Sequence, residues 1–461
     1  MGAAVKDGGG IERAREILSG KKALVVGLAA TGVSSARFLK KCGAAVTATD
    51  SKPEGELPLE IREMGVTLKA GGHEGLDKAG FDLAVVSPGV PYDLEILNKL
   101  RANGTEVISD IELAYRFMDC PILAIAGTNG KTTTTTLLGK VLEDAGKDVF
   151  VGGNIGTPAV EYVENGKNAD FCVLEISSFH LETTKRFNPR VGVLLNITED
   201  HLDRYRDFDH YAETKFRLFE NQGGTDSAVL NFNDPVIAAW AKKGLAKGKT
   251  VPFTVSGTLD DGLFFNGSRI VYRRSGEEEL YPVEGFRLKG LHNIENIMAV
   301  IAAARLAGIE KERILKTLNG FEGLSHRMEF VREKDGAAYI DDSKGTNIGA
   351  LVMALKGLNG PVVLIAGGRD KGGDYSVLGS LVKEKVKLLV LIGEARFKIK
   401  EALGELAETV MAASLEEAVN ISHRSARPGD TVLLCPACSS FDMFKSYKER
   451  GDRFKALVRA L

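Results

Sequence analysis

The 461 residues carry 60 Lys and Arg against 62 Asp and Glu, a formal net charge of −2, with 44% hydrophobic and 26% charged residues. A chain of this length exceeds one ordinary core and predicts two to four globular domains. The near-neutral balance gives no broad attraction to nucleic acid or anionic lipid, and no apolar run reaches membrane-spanning length, so no membrane insertion is expected. The five cysteines, at 42, 120, 172, 435 and 438, are odd in number and scattered, which argues against a disulfide framework and for a cytoplasmic setting.

Residues 1–10 are Gly-rich without an apolar stretch, and are expected to form a loose tail rather than a secretory signal. From Ile11, strand-like apolar runs alternate with amphipathic stretches, the pattern of parallel sheets covered by helices. In a first block, 11–119, Lys22–Gly27 and Ala45–Asp50 are strands, Ser34–Lys41 is a helix, and Phe81–Gly89 repeats the theme. The block is Rossmann-like, with ligand expected at the carboxyl ends of its strands. The turn Gly27-Leu-Ala-Ala-Thr-Gly32 lacks the middle glycine of the dinucleotide fingerprint. That weighs against a nicotinamide-dependent dehydrogenase, although Asp50 stands where such an enzyme places an acid on ribose.

The second block, 120–323, opens with the strand Pro121–Ala126, the stretch Ala126-Gly-Thr-Asn-Gly-Lys-Thr-Thr-Thr-Thr135, and the helical run Leu137–Leu142. Strand, glycine turn, lysine, hydroxyl, helix is the order of a phosphate-binding loop. Only Thr128 and Asn129 separate Gly127 from Gly130, however, where the commonest form has four residues. Backbone amides and the positive end of the helix would hold an anion. Lys131 would reach the β- and γ-phosphates, and Thr132 or Thr133 would meet Mg²⁺. Glu175 ends the strand Phe171–Glu175, where an acid can hold the same ion.

The strand Val191–Asn196 then runs into Ile197-Thr-Glu-Asp-His-Leu-Asp-Arg204. Here His201 is a candidate metal ligand or substrate-orienting group, and Thr198 a candidate helix cap with Glu199 and Asp200 in the first turn; the two readings are compatible. In the amphipathic stretch Tyr211–Phe219, composition makes Lys215 a solvated helix charge. Phe264-Phe265, Asn266-Gly267 and Ile270–Tyr272 predict a hairpin and with it a small antiparallel insertion, after which a helix over 293–307 restores the α/β pattern. In the third block, 324–461, the strands Ala338–Asp341, Pro361–Ala366, Lys387–Ile392 and Thr431–Cys435 form a second doubly wound sheet. Cys435-Pro-Ala-Cys438 lacks a second pair for zinc and reads as small buried residues at a strand end.

Taken in order, Gly127–Thr133, Gly153-Asn-Ile-Gly156, Glu175-Ile-Ser-Ser178, Asn196–Asp203, His292-Asn-Ile-Glu-Asn296, His326-Arg327 and Asp342–Asn347 resemble the Mur ligases over nearly the whole chain. The resemblance implies an α/β protein of three domains. These are a Rossmann-like N-terminal domain that binds UDP, a central P-loop ATPase-like domain with a small antiparallel β insertion, and a Rossmann-like C-terminal domain. The family joins a carboxylate to an amine with ATP, through an acyl phosphate. Ser177–Glu182, Gly367–Lys371 and Pro436–Asp442 are similar to the members that add D-glutamate to UDP-N-acetylmuramoyl-L-alanine, a step of peptidoglycan precursor synthesis in bacteria.

Residue by residue, the resemblance puts Gly127, Thr128, Asn129, Gly130, Lys131, Thr132 and Thr133 around ATP, with Asn293 and Asn296 facing adenine and Arg327 and Asp342 on the nucleotide. Lys131, Glu175, His201 and Lys215 would carry catalysis. Two Mg²⁺ ions are implied, near Thr132, Glu175 and His201 and at Lys215, the last after CO₂ has turned its amine into a carbamate. Thr31, Asp50, Ser51, Ser87, Gly89, Asn154 and Ser177 match positions on the UDP substrate. Thr346, Lys371, Ser440 and the backbone of Phe441 match those that receive D-glutamate, with Lys344 in the same loop and Tyr447 where an aromatic is expected. Lys52 stands near a place where some members have arginine. A cytoplasmic monomer that closes on small-molecule substrates is implied. Another Mur ligase or a folate polyglutamate synthase is disfavoured by the short N-terminal block and the Ser-Ser-Phe motif. A non-catalytic nucleotide switch is disfavoured by the acids and histidine gathered around the loop.

Overall fold

A computed structural model describes residues 9–461 except Lys167, Asp203, Lys289 and Asn359. The tail expected over 1–10 lies mostly outside the described residues; Gly9 and Gly10 open the helix Gly9–Leu18. Three sheets follow in chain order. The first is formed by β1 (Lys22–Val26), β2 (Ala45–Asp50), β3 (Thr67–Ala70), β4 (Leu83–Val86) and β5 (Glu106–Ser109), ordered β3-β2-β1-β4-β5. All of its pairings are parallel. The chain reverses its direction of travel between β1 and β4, so the turns after these two strands open the crevice where such sheets bind ligands.

The second sheet contains β6 (Ile122–Ala126), β7 (Val149–Gly153), β8 (Phe171–Glu175), β9 (Val191–Leu194), β10 (Ser227–Asn231), β11 (Lys249–Thr254), β12 (Gly262–Phe265), β13 (Arg269–Arg274) and β14 (Glu277–Pro282). Its order is β14-β13-β12-β11-β10-β9-β6-β8-β7. β6 and β9 are apolar and buried along their whole length, and β8 and β10 have buried apolar centres, as central parallel strands must. The hairpin expected at Asn266-Gly267 is present as antiparallel β12–β13, and β14 adds an antiparallel edge. The sequence Glu277-Glu-Glu-Leu-Tyr281 gave no strand signal: only Tyr281 is buried, and Glu279 on the same face is half-buried because it accepts from Tyr281 OH and Arg305.

The third sheet, β15 (Glu329–Lys334), β16 (Ala337–Asp341), β17 (Val362–Gly367), β18 (Val386–Ile392), β19 (Glu408–Met411) and β20 (Thr431–Leu434), is ordered β15-β16-β20-β17-β18-β19. It is parallel except for the β15 edge. Apolar clusters cover both of its faces, one around Leu364, Leu389 and Leu433, the other around Val363, Val390 and Val432.

The chain packs as two units. One comprises the chain up to Asn196 with Asp209–Val283 and Asn296–Leu318; the other comprises Ile197–Phe208, Glu284–Glu295 and Asn319–Leu461. In the first unit, Glu112, buried in the helix Asp110–Tyr115 after β5, accepts backbone N–H bonds from Lys185, Arg186 and Phe187 at 2.9–3.0 Å. Arg37 reaches Glu161 and Glu164 beyond β7. These bonds fix the first sheet against the second. The helix cap expected at Thr198 is a correction: among the described residues the next helix starts only at Phe208. The chain instead passes through His201 with φ 56, a left-handed turn that ends any helical course.

Candidate active site

In the first unit the phosphate-type loop leaves β6 at the centre of the second sheet and enters the helix Lys131–Asp144. Gly130 has φ 83, and a Cβ there would lie 2.3 Å from Asn296 Oδ1, so this turn requires glycine. Asn196, directly after β9, clamps the loop. Its Oδ1 accepts from Asn129 N–H at 2.7 Å, its Nδ2 donates to the Asn129 carbonyl at 3.1 Å, and its own carbonyl accepts from Thr128 N–H at 2.9 Å. The Thr128 hydroxyl meets Tyr211 OH at 3.1 Å. Thr132 is half-buried and Thr133 buried in the first turn of the helix.

Two lysines converge on one carbonyl. Lys131 Nζ donates to Gly127 O at 2.8 Å and to Thr128 O at 2.9 Å; Lys215 Nζ donates to the same Gly127 O at 3.0 Å. Lys215 is only 2% exposed, with its ammonium 4.6 Å from the centre of the Tyr211 ring. Its reading as a solvated charge is therefore overturned. The helix Phe208–Phe216 buries Tyr211, Ala212, Thr214 and Lys215, and Phe216 at its end stacks on Trp240, ring centres 4.4 Å apart.

Glu175 lies one strand over, paired with Ile125 of β6. It is 2% exposed; Oε1 accepts from Asn154 Nδ2 at 2.9 Å, while Oε2 is buried with no hydrogen bond among the described residues. A buried carboxylate oxygen without a donor is costly unless a cation meets it, so this residue fits a divalent ion. Asn154 is held by its own N–H on Glu175 O, and Gly153 leaves no room for a Cβ, which would meet that carbonyl at 2.5 Å. Ser177, two residues beyond Glu175, caps the helix Ser178–Leu181.

At the first sheet's crevice, Asp50 accepts from Leu28 N–H at 2.7 Å and Lys52 N–H at 3.0 Å, and Ser87 Oγ donates to Gly27 O at 2.7 Å. A Cβ on Gly32 would sit 1.9 Å from Gly27 O. Asp50 and Ser87 thus shape the turn itself. Thr31 lies in the first turn of the helix Ala30–Lys41, and Ser51 and Gly89 are exposed beside it.

In the second unit, three loops at the carboxyl ends of the neighbouring strands β16, β20 and β17 are joined by main-chain bonds. Ala437 N–H donates to Gly345 O, Gly367 N–H to Pro436 O, and Arg369 and Ser439 exchange a pair. These loops carry Asp342, Thr346, Lys371, Ser440 and Phe441. Beneath them Arg450, 1% exposed, donates to the carbonyls of Ser343 at 2.9 Å, Cys438 at 3.2 Å and Ser439 at 3.4 Å. Asp342 accepts from Met328 N–H and from the Cys435 thiol, and burial pushes its carboxyl up to about 6 while Arg327 pulls it down. Lys344 Nζ stands 4.1 Å over the Tyr447 ring, so that aromatic packs on the loop after β16. Ser440 is buried and Phe441 is 64% exposed.

His201 belongs to this unit. Asp200 accepts from His201 N–H at 3.0 Å and from Asn347 Nδ2 at 2.9 Å, and lies 3.7 Å from Lys371 Nζ. Asn293 and Asn296 share the helix Leu291–Leu306, three positions apart on one side. Sequence reasoning assigned no part to the clamp of Asn196, to Tyr211, to Asp200 beside Lys371, or to Arg450. Only Asn196, polar directly after an apolar strand, offered a signal.

The comparisons with known proteins agree with this architecture. Family models for a Mur ligase MurD-like N-terminal domain, a Mur ligase middle domain and a Mur ligase glutamate ligase domain match residues 21–109, 125–304 and 326–438. Among solved structures, a pseudomurein peptide ligase type C from Methanothermus fervidus matches with TM-score 0.61 at 22% identity, covering 95% of this chain and 99% of that one. The UDP-N-acetylmuramate-alanine ligase MurC of Thermotoga maritima matches with TM-score 0.59 at 18% identity, with the same coverage. These two establish the fold. The chain belongs to the Mur ligases. Within them it stands with the UDP-N-acetylmuramoylalanine–D-glutamate ligases: it is 52% identical to that of Geotalea uraniireducens, over 96% of this chain and 98% of the relative, and 50% identical over the same shares to that of Geobacter metallireducens.

Proposed function

We infer that the protein is an ADP-forming ligase that joins D-glutamate to UDP-N-acetylmuramoyl-L-alanine in peptidoglycan precursor synthesis. The substrate carboxylate attacks the γ-phosphorus of ATP and ADP departs. The amine of D-glutamate then attacks the acyl carbon of the resulting acyl phosphate, phosphate leaves, and the nitrogen loses a proton. One observation carries this reading in the geometry: a phosphate-type loop with two lysines on the Gly127 carbonyl, beside a buried, unpartnered oxygen of Glu175.

The amides of Gly127–Gly130 and the start of the helix Lys131–Asp144 receive the phosphates, and Lys131 exchanges its bonds to Gly127 and Thr128 for phosphate oxygens. Glu175, Thr132 or Thr133, and His201 would hold Mg²⁺, which supplies charge screening for the phosphoryl group. Two ammonium groups on one carbonyl repel each other. Conversion of Lys215 to a carbamate removes that repulsion and creates a carboxylate for a second ion.

Asn293, Asn296, Arg327 and Asp342 complete the ATP site. Thr31, Asp50, Ser51, Ser87 and Gly89 hold the UDP end of the acyl substrate, while Asn154 and Ser177 hold its reacting end. Lys371, Thr346, Ser440 and the Phe441 backbone receive the dicarboxylate, a cation and hydroxyls suiting such a ligand. The domains are 11–119, 120–323 and 324–461. The enzyme works as a cytoplasmic monomer; no described helix is long and apolar enough to cross a membrane.

Phosphate release with UDP-N-acetylmuramoyl-L-alanine, ATP and a panel of amino acids tests the activity. Turnover is expected with D-glutamate and to vanish in Lys131→Ala. Turnover with meso-diaminopimelate or L-alanine in place of D-glutamate overturns the assignment.

A further inference from the structure

Behind Ser177 lie two buried ionisable side chains that the mechanism above does not use. His180, in the helix Ser178–Leu181, turns back on its own cap: Ser177 N–H donates to His180 Nδ1 at 3.1 Å, and Ser177 Oγ lies 2.8 Å from the same nitrogen. A backbone N–H always donates, so Nδ1 presents its lone pair and the neutral ring carries its proton on Nε2. An Oγ–Nδ1 approach of 2.8 Å without a proton between them would oppose two lone pairs, so the Ser177 hydroxyl proton is directed at His180. Ser177 Oγ also accepts from His180 N–H at 3.3 Å. What half-exposed Ser177 still offers outward is a lone pair.

His180 Nε2 faces Asp110 Oδ1 at 3.6 Å, and each residue is 1% exposed. Asp110 starts the helix after β5 in the first sheet, so the pair crosses from that sheet to the end of β8. Among the described residues neither Asp110 oxygen has a hydrogen bond of good geometry; the nearby amides of Asp110 and Ile111 offset only part of the desolvation. Burial pushes this carboxyl up to about 7 and the imidazole down to about 3. Burying both polar groups costs stability. The helix cap alone does not require it, since a glutamine or glutamate at His180's position serves the same turn.

We propose that Asp110 and His180 form a positioning pair that fixes Ser177 as a hydrogen-bond acceptor, specific for an amide N–H of the acyl substrate next to its reacting carboxylate. The proposal rests on the reading of Ser177 as a substrate contact. With its proton committed inward, Ser177 rejects carboxylate oxygens and takes only donors. The reacting carboxylate is thereby turned away from Ser177 and toward the phosphate loop.

Steady-state kinetics on the full-length enzyme tests this. Asp110→Leu removes the buried charge without leaving a cavity. It is expected to raise KM for UDP-N-acetylmuramoyl-L-alanine about tenfold, to leave KM for ATP unchanged, and to keep or raise the melting temperature. Asp110→Asn keeps a carbonyl oxygen facing His180 Nε2–H and is expected to stay within about twofold of the parent. An unchanged KM in Asp110→Leu overturns the pair. If that variant does not fold, His180→Gln, which keeps the cap and drops the link to Asp110, is read in the same way.

Ser177→Ala separates the two levels. A raised KM there with none in Asp110→Leu defeats the pair alone; no change in Ser177→Ala defeats the substrate contact itself. A substrate analogue with an ester in place of the amide is expected to bind more weakly to the parent and to show no further loss in Ser177→Ala. Equal binding of ester and amide by the parent overturns the acceptor role.

Discussion

Replacing Asn196 by alanine removes both side-chain bonds that hold Asn129, at 2.7 and 3.1 Å, while the main-chain bond from Thr128 survives. A neutral hydrogen bond contributes about 1 kcal/mol net. Both Asn129 and Asn196 are only half-buried, so water can replace part of each bond, and the loss is about 2 kcal/mol. Lys131, Lys215 and Tyr211 hold Gly127 and Thr128, but Gly127 and Gly130 sit at φ 150 and 83, a region open to glycine, so the shape between them leans on the Asn129 bonds. If the clamped shape is the one that receives phosphate, about 2 kcal/mol becomes a fall of roughly 30-fold in kcat/KM for ATP. Urea unfolding measures the first figure and coupled ADP release the second. Asn196→Asp keeps the acceptor for Asn129 N–H but sets a carboxylate against the Asn129 carbonyl, so it is expected to fall at least as far in kcat/KM. An Asn196→Ala enzyme with parental stability and kcat/KM within threefold would refute the clamp.

Lys215→Ala is expected to fold, to be inactive, and to regain partial activity with high concentrations of a short carboxylate; intact-protein mass spectrometry showing an unmodified lysine in fully active enzyme would contradict the carbamate. Arg450→Met strips donors from the carbonyls of Ser343, Cys438 and Ser439, which should lower stability by about 3 kcal/mol and, on the proposed roles of these loops, raise KM for ATP and D-glutamate, as read by urea unfolding and kinetics. Asp110 titrates near 7 in the fold against an ordinary 3.8. Its contribution to stability is therefore complete below pH 3.8 and is lost as pH rises through 7, by an amount on the order of 4 kcal/mol. His180, held near 3 against 6.5, acts oppositely, and its contribution is lost as pH falls below 6.5. Over pH 4 to 7 the two contributions oppose each other in the parent, so Asp110→Asn, which keeps only that of His180, should gain stability relative to the parent as pH rises; parallel stability curves for variant and parent over that range would show that Asp110 is not responsible.

The strands of the three sheets were legible wherever an apolar run was long enough to be buried on both faces, as in β6, β8, β17 and β18. The loop after β6 was legible because its chemistry is local. Other features depend on partners distant in sequence. Lys215 meets Gly127 across 88 residues, and the helix that carries it has nothing in its own pattern to mark that face as buried. Asp110 and His180 are each polar residues that usually face water, and only the packing of the first sheet on the second brings them together. The cap signal at Thr198 was real locally but lost to a chain that turns left-handed at His201. Strand β14 was missed because its inward face holds one buried apolar side chain, Tyr281, and a carboxylate, Glu279, whose partner Arg305 is distant in sequence.

The bonds among the loops at 343–346, 367–371 and 436–441 run through main-chain atoms. Sequence change is therefore filtered unevenly there. Side chains at Thr346, Lys371 and Ser440 can be exchanged while the scaffold beneath them stays in register. A one-residue insertion or deletion would shift donors past acceptors in all three loops together, and selection should hold their lengths far more tightly than their composition.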